Sequence, residues 1–303
     1  MASDLKSLLT PELFTLVAES WIPLGKKEKV DDFGQVIRDI FFSSSSEDGA
    51  FALRPKLWPI LLSISQLGLD GCPDWMDFLP PVESPEFPSQ ALALQLILDQ
   101  APRLWLKGVD ARWAYGYFDE ISIKYALALQ DLPPHLRPSS WCRWEGSVTF
   151  EYWVVLRMLF GAPIVHHEMT SDAAVAFTDE TRSTIEQRFN VRDPIRDQPE
   201  RRWNMFGFPR LLASGGPDGP CDVIRGGFWI QELMDTHKPP LDKFGRYPYR
   251  NWVLGRDMTP EEEDWIREAD FFKPPPEDVR KKIKEDVEKG VWSPIGDGVE
   301  EAS

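Results

Sequence analysis

Apolar residues recur along this chain at helical spacing. In "VDDFGQVIRDIFF", Phe33, Val36, Ile37, Ile40 and Phe41 fall on one helix face. "PELFTLVAESW" follows Thr10 and puts Pro11 at the first helical position, the order expected at a helix start. "SQALALQLILDQAPRLW" reads as a buried helix that Pro102 must kink or end, because proline has no N–H and its ring collides with the preceding turn. "GVDARWAYGYFDEISIKYALAL" gives a further helix, and "EGSVTFEYWVVLRMLF" is apolar on more than one face, the mark of a central element. "TSDAAVAFTDETRSTIEQRF" is amphipathic, and "DVIRGGFWIQELMDTH" is helical in pattern although Gly226 and Gly227 weaken it. "TPEEEDWIREADFF" opens with a capping box, Thr259 at the cap, Pro260 next and Glu262 at the third position. No segment alternates apolar and polar residues between hairpin turns, so the predicted fold is all-α, one helical domain over residues 1–303.

Between these helices, Ser43–Ala50 ("SSSSEDGA") is a flexible polar connector and "DWMDFLPPVESPEFPSQ" an irregular, Pro-rich but ordered loop. Residues 190–221 hold Pro, Gly and Arg in a long loop insertion, and residues 275–303 form a charged C-terminal helix and tail. Composition narrows the partners. With 34 basic against 49 acidic side chains the net charge is −15, which argues against nucleic acid and against a generic anionic membrane surface. The N-terminus has no basic stretch followed by an apolar one, and no apolar run approaches about 20 residues, so neither a secretory leader nor a membrane span is expected. Three widely spaced cysteines, Cys72, Cys142 and Cys221, suit reduced thiols in a cytosolic protein. The chain has no CxxC, HExxH, GxxxxGK[ST], GxGxxG or GxSxG motif, so zinc, the usual nucleotide sites and serine hydrolysis lack support. Its 13 Trp and 18 Phe either wedge between helices or line an apolar cavity.

Four polar clusters stand out. "DKFGRYPYRNWVLGR" packs Lys243, Arg246, Arg250 and Arg256 into one aromatic, turn-containing segment of an acidic chain. Asp99, Gln100 and Arg103 close an apolar helix, where a carboxylate must be paired or bind a cation. Glu168 and Asp172 are four apart and share a helix face, beside His166 and His167, which add donors or a general base. Asp179, Ser183 and Gln187 stand at successive four-residue steps, the spacing of the Mg²⁺-binding Asn/Asp–Ser–Glu triplet of class I terpene cyclases. Gln replaces Glu here, no DDxxD motif is present, and a solvated helix face explains the same spacing. Two arrangements satisfy the acids and arginines. In one they neutralise each other in a fold-specifying network. In the other the acids hold Mg²⁺ and the arginines a diphosphate.

"LILDQAPR", "PIVHHEMTSD" and "HKPPLDKFGRYPYRNWVLGRDMTPEE" resemble, in order and spacing, three signature blocks of the DUF924 family, which read approximately LLDQFPR, PFxHSExxxDQ and HxxxIxxFGRFPHRNxxLGRxSTPEE. The resemblance covers residues of about 20–270 and departs from the pattern at His167, Ala173 and Tyr249, where the family has Ser, Gln and His. It implies an all-helical bundle with tetratricopeptide-like helix pairs. Some fungal members of this type are associated with humulene formation in sesquiterpenoid pathways. That association implies an unconventional Mg²⁺-dependent terpene cyclase acting on farnesyl diphosphate. On that reading Asp99, Glu168 and Asp172 bind the metal, and Arg103, Arg246, Arg250 and Asn251 bind the diphosphate. Arg246 also stabilises leaving charge, and Trp105, Trp113, Tyr249 and Trp252 wall the pocket. The alternative is a tetratricopeptide-like binding or scaffold protein whose blocks are a structural ion-pair network.

Overall fold

The structure, a computed structural model, describes residues 2–22, 24–42 and 49–296. Most of the connector expected over Ser43–Ala50, up to residue 48, and the tail from residue 297 lie outside the described residues. The chain runs as α1 Ala2–Leu8, α2 Pro11–Trp21, α3 Phe33–Phe42, α4 Arg54–Ser65, α5 Phe87–Gln95, α6 Ala101–Trp105, α7 Phe118–Gln130 and α8 Phe150–His166. It continues as α9 Ser171–Phe189, α10 Pro199–Arg202, α11 Gly207–Ala213, α12 Val223–Asp235, α13 Lys238–Phe244, α14 Asn251–Leu254, α15 Pro260–Ala269 and α16 Glu277–Glu288. Among the described residues there is no strand, and the fold is all-α, as the pattern predicts. No helix among them is long and apolar enough to cross a membrane.

Helix starts are fixed by side chains that accept the otherwise unpaired N–H groups of the first turn. Thr10 accepts from the Leu13 amide, Thr149 from Tyr152 and Asp222 from Arg225. Thr259 and Glu262 form the full capping box of α15. The interior is organised around α8, where only Glu151, Ala162 and His166 escape burial. This helix touches α5, α7, α9 and α12, which is why its sequence shows no polar face. Gly161 permits a close approach to α9 and α12. A Cβ there would lie 2.5 Å from the Phe177 ring of α9 and 2.6 Å from the Met234 methyl of α12.

Two stretches expected to be plain helix are wound differently. At Pro102 the helix neither ends nor breaks. It widens into a π-turn over Leu96–Gln100, whose closing amide, Ala101, donates to Leu96, and then resumes as α6. The wider turn accommodates a ring that cannot join the ordinary ladder. A second π-turn, Trp113–Tyr117, leads directly into α7. The 190–221 segment, expected as a loop, contains a 3₁₀ turn at Pro194–Asp197 and the short helices α10 and α11. Arginine ties it down: Arg182 of α9, fully buried, pairs with Asp193 at 2.7 Å and Asp235 at 2.8 Å. After α16, residues 291–296 fold back so that Trp292 packs on Trp113 with ring centroids 4.7 Å apart.

Two stability measurements check this packing. Gly161→Ala is expected to lower unfolding free energy by about 1–3 kcal/mol through overpacking, with helical circular dichroism retained. Arg182→Ala leaves two buried carboxylates short of a cation and is expected to cost about 3–5 kcal/mol in denaturant titration.

Candidate functional site

The two π-turns, α8, α11, α12 and the turn before α14 enclose a cavity of ≈ 490 Å³. Its walls are apolar and aromatic: Ile40 and Phe41 of α3, Met158, Leu159 and Val165 of α8, Phe208 and Leu212 of α11, Leu233 and Met234 of α12. Its floor is polar, made by Gln100, Arg103, Tyr115, His166, His237, Tyr249 and Arg250. Both π-turns deliver residues here, Gln100 from one and Tyr115 from the other.

A chain of charges runs beneath this floor. Asp99, 2 % exposed, accepts from Arg103 Nε at 3.2 Å, and His166 Nδ1 lies 3.2 Å from each of its oxygens. Arg103 also pairs with Asp119, which takes Arg250 Nη1 at 3.1 Å on its other oxygen. Two acids and two guanidinium groups thus alternate, His166–Asp99–Arg103–Asp119–Arg250. Both guanidinium groups also stand about 5 Å from the Tyr115 ring, Arg103 at 5.1 Å and Arg250 at 5.2 Å, and Arg250 lies 4.7 Å from Tyr247. Arg250 Nε, buried, has no hydrogen-bond partner among the described residues.

Burial opposes the Asp99 charge, yet the His166 ring and Arg103 outweigh it and hold the carboxyl far below its usual range. Burial, reinforced by Arg103, outweighs Asp99 at His166 and holds that imidazole below its usual pKa. At His237, burial, with His166 nearby, pushes the pKa down to about 3, and its Nδ1 donates to the Leu233 carbonyl at 3.0 Å. Burial raises Tyr249 to about 12. At neutral pH Asp99 is therefore charged, and the His166, His237 and Tyr249 rings are neutral.

The expected site residues divide sharply. Asp99, Arg103, Tyr249 and Arg250 come together at this floor. The three carboxylates expected to share a metal do not. Asp99 faces Arg103 and His166. Glu168 accepts from the Tyr247 amide and pairs with Arg256 at 2.9 Å. Asp172, its side chain 93 % exposed, meets Lys238. Each acid has found a protein cation, and among the described residues no three His, Cys, Asp or Glu side chains gather into a metal-holding group. The donor set therefore does not fit the three-carboxylate Mg²⁺ site. Arg246 is directed instead at Glu262, through Nε at 2.6 Å and Nη2 at 2.8 Å. Asn251, fully buried, donates to Met258 Sδ. Trp105 packs edge-on against Trp21, Trp113 lies under Trp292 and donates to the Ser293 carbonyl, and neither they nor Trp252 line the cavity. Asp179 and Ser183 receive Arg196, and Asp179 also Arg202, so two members of the triplet clamp the 190–221 segment; Gln187 is exposed.

Asp119, Tyr115, His237 and Phe208 belong to the site and were not singled out from sequence. Asp119 alone carried a signal, an acid beside Phe118 on the side of α7 that buries Ser122, Tyr125 and Ala126. The other three are aromatic rings among many.

The Asp99 environment sets an acid dependence. Its pKa is lower folded than unfolded, so its stabilising contribution is complete above about pH 4, the unfolded value, and is lost as pH falls through the folded one. Asp99→Asn is expected to lower stability at pH 7 and to flatten the fall in stability below about pH 4, as read from denaturant midpoints across pH.

No curated protein and no solved structure matches this chain. A family model described as "Bacterial protein of unknown function (DUF924)" matches residues 80–270, a span that holds all three signature blocks and every charged member of the cavity floor. That match takes in more than half of the 303 residues, and the chain belongs to the DUF924 family.

Proposed function

We propose that this chain binds a prenyl diphosphate in the ≈ 490 Å³ cavity and cyclises it, acting on farnesyl diphosphate to give a humulene-type hydrocarbon and free diphosphate. One observation carries the reading: apolar, aromatic walls converge on a half-buried Arg103 and a buried Arg250, whose Nε has no hydrogen-bond partner among the described residues. Such a space suits a ligand with a long apolar chain and an anionic head, and the volume lies within the range of small-molecule sites. Arg250, through its unpartnered Nε, and Arg103 would hold the head group and take up the charge that develops as the carbon–oxygen bond breaks. Phe41, Phe208 and Tyr249 would offer ring faces to a carbocation, and the apolar walls would limit the water that reaches it. No step is assigned to Mg²⁺, since the residues do not form its expected site.

A second reading, a non-catalytic binding protein, is favoured by a different observation. The floor neutralises itself, and the outlying pairs Arg246–Glu262, Arg256–Glu168 and Lys238–Asp172 close without any ligand.

Incubation of the protein with farnesyl diphosphate, with and without Mg²⁺, followed by mass analysis of an organic extract, separates these readings. A cyclic C15 hydrocarbon is the expected product. Binding of farnesyl thiolodiphosphate without turnover would leave the binding-protein reading, and phosphate release without hydrocarbon would indicate hydrolysis. Arg250→Met is expected to weaken that binding about 10- to 100-fold by calorimetry, because it removes a charge-assisted contact while Arg103 still neutralises Asp119.

A further inference from the structure

A second cavity, ≈ 670 Å³, lies against the first and is not used by the reading above. One short helix, α11, contributes to both. Phe208 and Leu212 line the first cavity, while Arg210 and Leu211 line the second. The neighbouring α12 divides in the same way, with Leu233 and Met234 on the first side and Ile224, Phe228 and Trp229 on the second. Phe41, from the first cavity, meets Trp229, from the second, at a ring separation of 6.0 Å. Two packed rings therefore separate the spaces at this point, and α11 and α12 line both.

The two spaces differ in their charge. The first has its arginines on the floor, beside Tyr115. The second is lined by Ile195, Leu211, Ile224, Phe228 and Trp229 together with acids and arginines, Arg201 paired with Glu232 and, among the described residues, Arg210 and Arg225 exposed and without an acidic partner. The partition itself is carried by the 190–221 segment, where Gly207 packs its α-carbon against Thr236; a Cβ there would lie 2.4 Å from the Thr236 methyl. Close packing at Gly207 fixes Phe208, whose ring lies 3.9 Å from that of His237.

We propose that α11 is the wall that sets how long an apolar chain the site takes, with Phe208 and Leu212 as its stops and the second cavity as the space for the far end of a longer prenyl chain. The assignment rests on the prenyl diphosphate reading of the first cavity. An intact wall ends the chain within the first cavity. A shortened wall joins the two spaces, and the added isoprene unit is buried against Leu211, Ile224 and Phe228 instead of being refused.

The test compares dissociation constants of farnesyl and geranylgeranyl thiolodiphosphate, by calorimetry, for the wild type, Leu212→Ala, Phe208→Ala, and Leu212→Ala combined with Ile224→Trp. Thermal melts and circular dichroism confirm that each is folded. The wild type is expected to prefer the shorter chain. Leu212→Ala should shift the ratio toward the longer chain by about tenfold or more, the scale at which an apolar site discriminates small differences in ligand size. Ile224→Trp, by filling the second cavity, should reverse that shift. An unchanged ratio in both single variants, or a gain that survives Ile224→Trp, overturns the wall assignment while leaving the prenyl reading intact. A wild type that binds neither analogue overturns both.

Discussion

Asp119 lies between Arg103 and Arg250, and the site depends on that placement. Arg103 and Arg250 both stand over Tyr115 beside a largely apolar cavity, where two like charges repel strongly unless an anion lies between them. Asp119 takes one guanidinium on each oxygen. In doing so it ties α6, α7 and the turn before α14 together, segments far apart in sequence. Arg103 is then turned to reach Asp99, and Asp99 in turn meets His166 at the end of α8. The alternation of charge lets a polar floor persist under apolar walls, since each ion is paired rather than merely buried.

The rest of the polar signature works differently. Arg182, Arg196 and Arg202 gather Asp179, Asp193 and Asp235 between α9, α12 and the 190–221 segment. This second network reaches the second cavity through Asp193 and leaves the first untouched. It fixes a segment that hydrophobic pattern alone would leave loose, and so holds α11 where Phe208 and Leu212 can close the cavity. Buried ion pairs of this kind specify an arrangement more than they stabilise it. Here the arrangement specified is the position of a wall.

The helices were legible because their cause is local. Thr10 and Thr259 cap by reaching amides three residues on, and the apolar stripe of α3 or the all-apolar α8 reports burial directly. Chemistry within one turn of a residue is written in the residues beside it. Pro102 marks the limit of such reading. Its missing N–H requires a departure from the α-helical ladder, but a kink, an end or a π-turn all meet that requirement, and only the packing of α5, α7 and α8 around Leu96–Gln100 selects the π-turn.

The sequence by itself determined the all-helical class, the helix starts, and the presence of acids and arginines that had to find opposite charges. Tertiary structure alone decided which charge met which. Arg246 and Arg250 are four residues apart, yet one goes to Glu262 and the other to Asp119, and Glu168 and Asp172 go to Arg256 and Lys238 rather than to one ion. The reason is physical. A charge in low dielectric is settled by whichever opposite charge lies within a few ångströms, and that neighbour comes from helices distant in the chain.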